Sequence, residues 1–148
     1  MGDPKKNRRK YSTPNHPWQA TRLKEEAELV KNYGLKNKKE VWKMVSVIKR
    51  FKAQAKSLIA GYTEQSEKEK KQLISKLFRL NLVEDNATLD DVLGLKVERI
   101  FDRRLQTFVY KLGLARSIEQ ARQFIIHGHI SVKGRKLTVP SYIVLRDE

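Results

Sequence analysis

The stretch ARSIEQARQFIIHGHISVKGRKL, residues 115–137, opens as a helix and closes as a hairpin. Ser117 stands where an N-cap belongs, and Gln120 completes the spacing of a capping box. Ile118, Ala121, Phe124 and Ile125 then share one helical face. Arg122 lies at the margin of that face, where its stem can pack while its head reaches outward. Gly128 is a suitable residue just past a helix end. The run His129-Ile130-Ser131-Val132 alternates, which points Ile130 and Val132 inward. Lys133-Gly134 makes a turn and residues 135–139 return. A further short strand is expected after Pro140, over Tyr142 to Leu145. One glycine joins helix to hairpin, so the two must pack together.

The preceding helix reads the same way. Leu105, Phe108, Val109 and Leu112 fall on one face; Arg104, Thr107 and Lys111 fall on the other, with Arg103 beside them. Gly113 stops it. The wheel thus predicts one buried stripe and one exposed basic stripe. Arg104 and Lys111 from this helix would then converge with Arg116, Arg122, Lys133, Arg135 and Lys136. Clustering of this kind suits phosphates along a curved backbone. A merely solvated surface is the bland reading for any single lysine, but the joint arrangement argues against it.

The bulk numbers point in the same direction. The chain has 148 residues, with 32 Lys and Arg against 17 Asp and Glu, a net charge of +15. Such an excess attracts polyanions, of which nucleic acid is the commonest and anionic membrane the runner-up. The charge is uneven: residues 1–60 carry net +11, residues 61–98 net −2 and residues 99–148 net +6. No apolar run approaches the roughly 20 residues of a spanning helix. The opening MGDPKKNRRKYSTPNHPW has no apolar core of the kind a secretory signal carries. With no cysteine, disulfides, thiolate nucleophiles and cysteine zinc sites are excluded together.

Residues 1–17 hold three prolines and the cluster Lys5, Lys6, Arg8, Arg9, Lys10, and read as a flexible arm that orders on a partner. Four helical stretches follow. The first runs from about Trp18 to Tyr33, with Leu23, Ala27 and Val30 on one face and Gly34 as its stop. The second starts at Asn37, with Glu40 at capping-box spacing, and carries Val41, Met44, Ile48, Phe51, Ala55 and Leu58 as one apolar stripe. Lys39, Lys43, Lys49, Arg50 and Lys56 fall mostly outside that stripe. The third runs from Ser66 through Leu73, Leu77 and Leu80. The fourth begins near Thr88 and is interrupted at Gly94.

The run RRLQTFVYKLGLARSIEQARQFIIHGHISVKGRKLTVPSYIV closely resembles the RNA-binding module named after ribosomal protein S-four. The signal is the series Arg104-Leu105, Tyr110, Gly113, Ser117, Gln120-Ala121-Arg122, Ile125, Gly128, Ile130, Val132 and Gly134. Nearly the whole chain, from the basic arm through Thr88-Leu89-Asp90-Asp91, resembles that family of small-subunit ribosomal proteins in its archaeal and eukaryotic type. The resemblance implies an α+β fold: a helical N-terminal body, residues 18–98, plus an RNA-binding module, residues 99–148, with two helices packed on a short antiparallel hairpin. It also implies early binding to small-subunit rRNA, a ribosome-bound, cytoplasmic location, neighbouring small-subunit proteins as partners, and contact with mRNA where it enters the subunit. Many bacterial relatives have Asp-Asn in place of Gln106-Thr107 and Asn-Gly in place of Lys133-Gly134. The local pairing of that acidic residue is therefore not carried over. Members often continue with a further C-terminal tail.

Enzymatic readings find little footing. The same module is appended to pseudouridine synthases and to a tRNA synthetase, but those need a separate catalytic domain. Adjacent Asp90 and Asp91 point different ways on a helix and suit its N-terminal charge. His127 and His129 flank a glycine without a third ligand candidate nearby. No phosphate-binding glycine loop occurs. No metal and no cofactor is expected. The RNA-binding candidates are the five arm residues above, Lys39, Lys43, Lys49, Arg50, Arg103, Arg104, Lys111, Arg116, Ser117, Gln120, Arg122, His127, His129, Lys133, Arg135 and Lys136. The alternatives are a small nucleolar RNP component with the same module, and a basic protein on a membrane surface. The latter is disfavoured because the helices lack an aromatic-rich interfacial face.

Overall fold

The computed structural model describes residues 2, 9–61 and 63–148. Lys5, Lys6 and Arg8 of the arm lie outside the described residues. Among the described residues the order is α1 (Ala20–Asn32), α2 (Lys38–Ile59), α3 (Glu64–Arg79), α4 (Leu89–Leu93), α5 (Val97–Asp102), α6 (Leu105–Lys111), α7 (Ile118–Ile126), β1 (Ser131–Val132) and β2 (Arg135–Lys136). The architecture is α+β, mostly helical with one small antiparallel sheet.

Helix α2 is the spine. Asn37 caps it by accepting a hydrogen bond from the Glu40 amide. Its stripe lands as the spacing predicts: Val41, Ile48, Ala55 and Leu58 are buried, with Met44 and Phe51 packed at the edge. Ile48, Ala55 and Leu58 meet Leu73 and Leu77 of α3, Val92 of α4, and Ile100 of α5 in the main core. Full burial of the Val, Leu and Ile side chains among them stabilises by roughly 1.5–3 kcal/mol each. Helix α3 starts earlier than Ser66, because Thr63 accepts from the Ser66 amide and so takes the cap position. Helix α1 covers a shorter span than expected. Ala27 is exposed; the helix packs through Val30, as expected, and through Leu29, with Glu26 buried.

The fourth expected stretch is three short helices. Thr88 and Asp91 form a full capping box at α4, and the chain turns again at Gly94 and at Arg103-Arg104. The part of the arm from Arg9 onward also differs from a free segment. The Ser12 amide donates to Ser46 Oγ at 3.1 Å, Arg50 donates to the Lys10 carbonyl at 3.3 Å, and Tyr11 lies 6.3 Å from Trp42 between ring centroids. Tyr11 supplies an apolar contact that a count of charges hides.

A second core joins Leu105 and Val109 of α6, Ala121 and Ile125 of α7, and Val144; Ile130, Val132 and Leu137 of the hairpin pack at its edge. Ser131 pairs with Lys136 and Val132 with Arg135. The turn residues Lys133 and Gly134 have φ of +47° and +75°, the left-handed pair of a two-residue hairpin turn. The Tyr142–Leu145 segment is not a strand of that sheet. It makes a single antiparallel bridge, Ile143 with Arg104, fixed by Leu105 N to Tyr142 O at 2.8 Å and Val144 N to Arg103 O at 2.9 Å. Leu112 was expected in the core but is 68% exposed, because α6 ends at Lys111 and the chain turns away.

Candidate nucleic-acid interface

The hairpin and the start of α7 place four cations outward. Arg116, Lys133, Arg135 and Lys136 are all exposed. Among the described residues, the salt bridges engage Arg22, Lys38, Arg104, Lys111 and Arg122 and none of these four. Lys133 and Arg135 are near enough to help lower the Glu148 carboxyl without pairing with it, and surface cations outside salt bridges on rigid elements are the arrangement that neutralises phosphates. Ser117 and Gln120 serve α7 itself. Ser117 Oγ accepts from the Gln120 amide at 3.1 Å, while Gln120 Oε1 accepts from the Arg116 amide at 2.7 Å. The capping box is therefore shifted by one residue, and it pins the backbone of Arg116.

Three expected contacts are corrected or narrowed. Arg104 is not on an exposed stripe: it is 1% exposed, and its Nη2 lies 2.6 Å from Glu40 Oε2. Thr107 is buried too, its hydroxyl donating to the Phe101 carbonyl at 2.7 Å. Gln106 donates to the carbonyls of Gly34 and Ile118, both at 3.0 Å. The polar face of α6 is thus the seam to the helical body. A wheel separates polar from apolar but cannot say that the polar side faces another part of the same chain. Arg103 is half-buried, with both ends of its guanidinium donating to Val144 and Leu145 carbonyls and its plane over Phe108. Arg122 is 23% exposed and donates to Glu40 Oε1 at 3.3 Å. Lys111 remains exposed in a 2.8 Å pair with Asp102.

Glu40 is the residue that sequence reasoning missed, having read it as a capping partner. Burial pushes its carboxyl up, but hydrogen bonding and charge from Arg104, then Arg122, more than offset this and hold it below the usual carboxylate value. No local pattern announces the role, since its partners lie far along the chain. The arrangement brings the N-terminal end of α2, with exposed Lys39 and Lys43, beside α6 and α7. Lys49 and Arg50 sit farther along α2, exposed; Arg50 also donates to the Ser46 and Lys10 carbonyls. Arg9 and Lys10 are exposed as well.

A cleft of about 920 Å³ opens elsewhere, between α1, α2 and the segment 12–16, and its walls include Glu25, Glu26, Glu28 and Glu98. Its four carboxylates oppose a polyanion, while Arg22 and the candidate Lys49 also line it. No group of three or more His, Asp or Glu able to hold a metal is found among the described residues. No helix among them is long and apolar enough to cross a membrane.

Comparison with known proteins bears on the same region. A family model described as the S4 domain matches residues 103–148. Small ribosomal subunit protein uS4 of Sulfurisphaera tokodaii is 54% identical over 149 residues, which cover all of this chain and 84% of that protein. The proteins of the same name from Ignicoccus hospitalis and Methanothermobacter thermautotrophicus are 53% and 51% identical, each matching the whole of this chain and 89% and 86% of their own length.

Proposed function

The chain belongs to the family of small ribosomal subunit protein uS4, and from that premise we propose that it is a structural protein that binds folded small-subunit rRNA. The observation that carries the reading is the set of four exposed cations, Arg116, Lys133, Arg135 and Lys136, outside every salt bridge among the described residues, on a helix and hairpin locked together by one core. Lys39 and Lys43, exposed at the N-terminal end of α2, add further cations. RNA helices offer phosphates and 2′-hydroxyls at fixed spacing rather than readable base edges, so a rigid cationic surface recognises their shape. Its role is architectural, with no catalytic step. The units in this reading are a basic arm, a helical body and the RNA-binding module from residue 99 onward. Its seat is the ribosome in the cytoplasm, beside other small-subunit proteins and near the point where mRNA enters.

Binding to a transcript of small-subunit rRNA tests this. Each neutralised phosphate should steepen the fall of log affinity against log salt by roughly 0.7–0.9. Several contacts give a steep line. A flat line between low and moderate salt would remove the proposal.

A further inference from the structure

We infer that His127, His129 and Lys136 together hold one unstacked RNA nucleotide, its base against the two imidazoles and its phosphate on the ammonium; this rests on the rRNA-binding reading above.

The two rings are parallel within 7°, with centroids 6.3 Å apart. That is too far for the rings to stack on one another. A flat ring lying between two others needs roughly twice the ~3.5 Å carbon contact distance, or ~7 Å. The centroid distance is an upper limit on the spacing of the two planes, so the side chains, both exposed, part by roughly 1 Å or more to take a base between them. Their backbone is fixed: the amides of His127, Gly128 and His129 donate to Gln123, Ile125 and Phe124 carbonyls at 2.9, 3.0 and 2.9 Å. Phe124 meets the His129 ring edge-on, at 86° and 6.0 Å, which restricts its tilt. Gly128, at φ +75°, lets the chain reverse so that both side chains flank it.

The phosphate half comes from β2. A Cβ built on Gly128 would lie 2.8 Å from Lys136 Nζ. The ammonium thus rests over the glycine that separates the histidines. A planar pair and a cation at one point match the two parts of a nucleotide. RNA-binding surfaces recognise splayed bases by stacking on aromatic and imidazole rings. The pairs Lys133 and Arg135 continue the positive surface for the flanking phosphates.

The test uses the whole chain and small-subunit rRNA transcribed from the Sulfurisphaera tokodaii sequence. The double variant H127A/H129A should bind roughly tenfold or more weakly, with an unchanged melting curve, because both side chains are exposed. H127F/H129F should restore most of the affinity, since phenylalanine keeps the flat face without the ring nitrogens. K136A should flatten the salt slope by about one phosphate contact. Acylation of 2′-hydroxyls should show one unpaired nucleotide protected by the parent and the phenylalanine pair, and reactive with the alanine pair. If the parent binds and the alanine pair binds equally, the clamp is overturned while the rRNA reading stands. A phenylalanine pair as weak as the alanine pair overturns it too. A parent that does not bind the transcript overturns both.

Discussion

Lys133 sits at φ +47° in the hairpin turn, a backbone conformation that asparagine and glycine accept more readily than lysine. The strain is of the order of 1 kcal/mol. In return, a cation stands at the tip, beside Arg135 and Lys136, in a position no side chain of the core can shield. Stability and binding therefore pull in opposite directions at this one residue. Lys133→Asn should raise stability by a few tenths to about 1 kcal/mol, read by urea unfolding. The same variant should weaken rRNA binding and flatten its salt slope by about one contact. A variant that gains no stability would show that the turn is relaxed with lysine in place.

At the scale of elements, the α1–α2 turn touches the module. Gly34 has φ +55°, and a Cβ there would lie 2.8 Å from Gln106 Nε2 and from Ile118 Cγ2. Gly113, at φ +74°, has open space around it. Gly34→Ala should cost ~2–4 kcal/mol, combining the left-handed backbone with displaced packing. Gly113→Ala should cost only ~1 kcal/mol, from the backbone alone. Chemical unfolding of the two variants compares them directly; equal costs would mean that the turn does not press on α6 and α7. This seam also marks the limit of what the sequence could say. The periodicities of α2 and α7, the Ser117 cap and the Lys133-Gly134 turn are local and were legible in order. So were the exposed cations of the hairpin, because a two-residue turn leaves them nowhere to bury. Arg104 and Thr107 were misread, and Gln106 was left without a face, for the opposite reason. Their partners, Glu40, Gly34 and Phe101, belong to other elements, and a polar helix face looks the same whether water or another helix covers it. The split of the fourth helix was half legible at Gly94, while its second break, at Arg103-Arg104, depends on the Tyr142–Val144 segment crossing there.

For the whole molecule, the difficulty is to hold two small cores together in a chain of net charge +15, where self-repulsion opposes the compact state. The chain's end helps: Ile143 packs on the main core while Val144 packs in the second, and the Arg146 guanidinium lies 4.1 Å from the Phe78 ring centre. Glu40 does the electrostatic part, as one carboxylate shared by Arg104, the N-cap of α6, and Arg122 of α7. Arg104 Nε and Nη1 are buried without a hydrogen-bond partner, so the desolvation of this arginine is only partly recovered by Glu40 and by its approach to Phe101. Removing the carboxylate should therefore leave an uncompensated buried cation. Glu40→Gln should lose ~3 kcal/mol at neutral pH, the lower end for breaking a buried pair because Glu40 keeps 17% side-chain exposure. The sign with pH follows from the lowered carboxyl of Glu40. A group depressed in the folded state stabilises fully above its ordinary value of 4.5 and loses that contribution as pH falls through its folded value. The gap between parent and Glu40→Gln should thus be constant near neutrality and close progressively in acid, below the ordinary carboxylate range. Other carboxylates titrate in both proteins and cancel in the difference. Urea unfolding of the pair at neutral pH and at about pH 3 measures it. A gap that persists undiminished into acid would mean that neutral Glu40 holds the arginines as well as the carboxylate does, and that hydrogen-bond geometry, not charge, joins the module to the body.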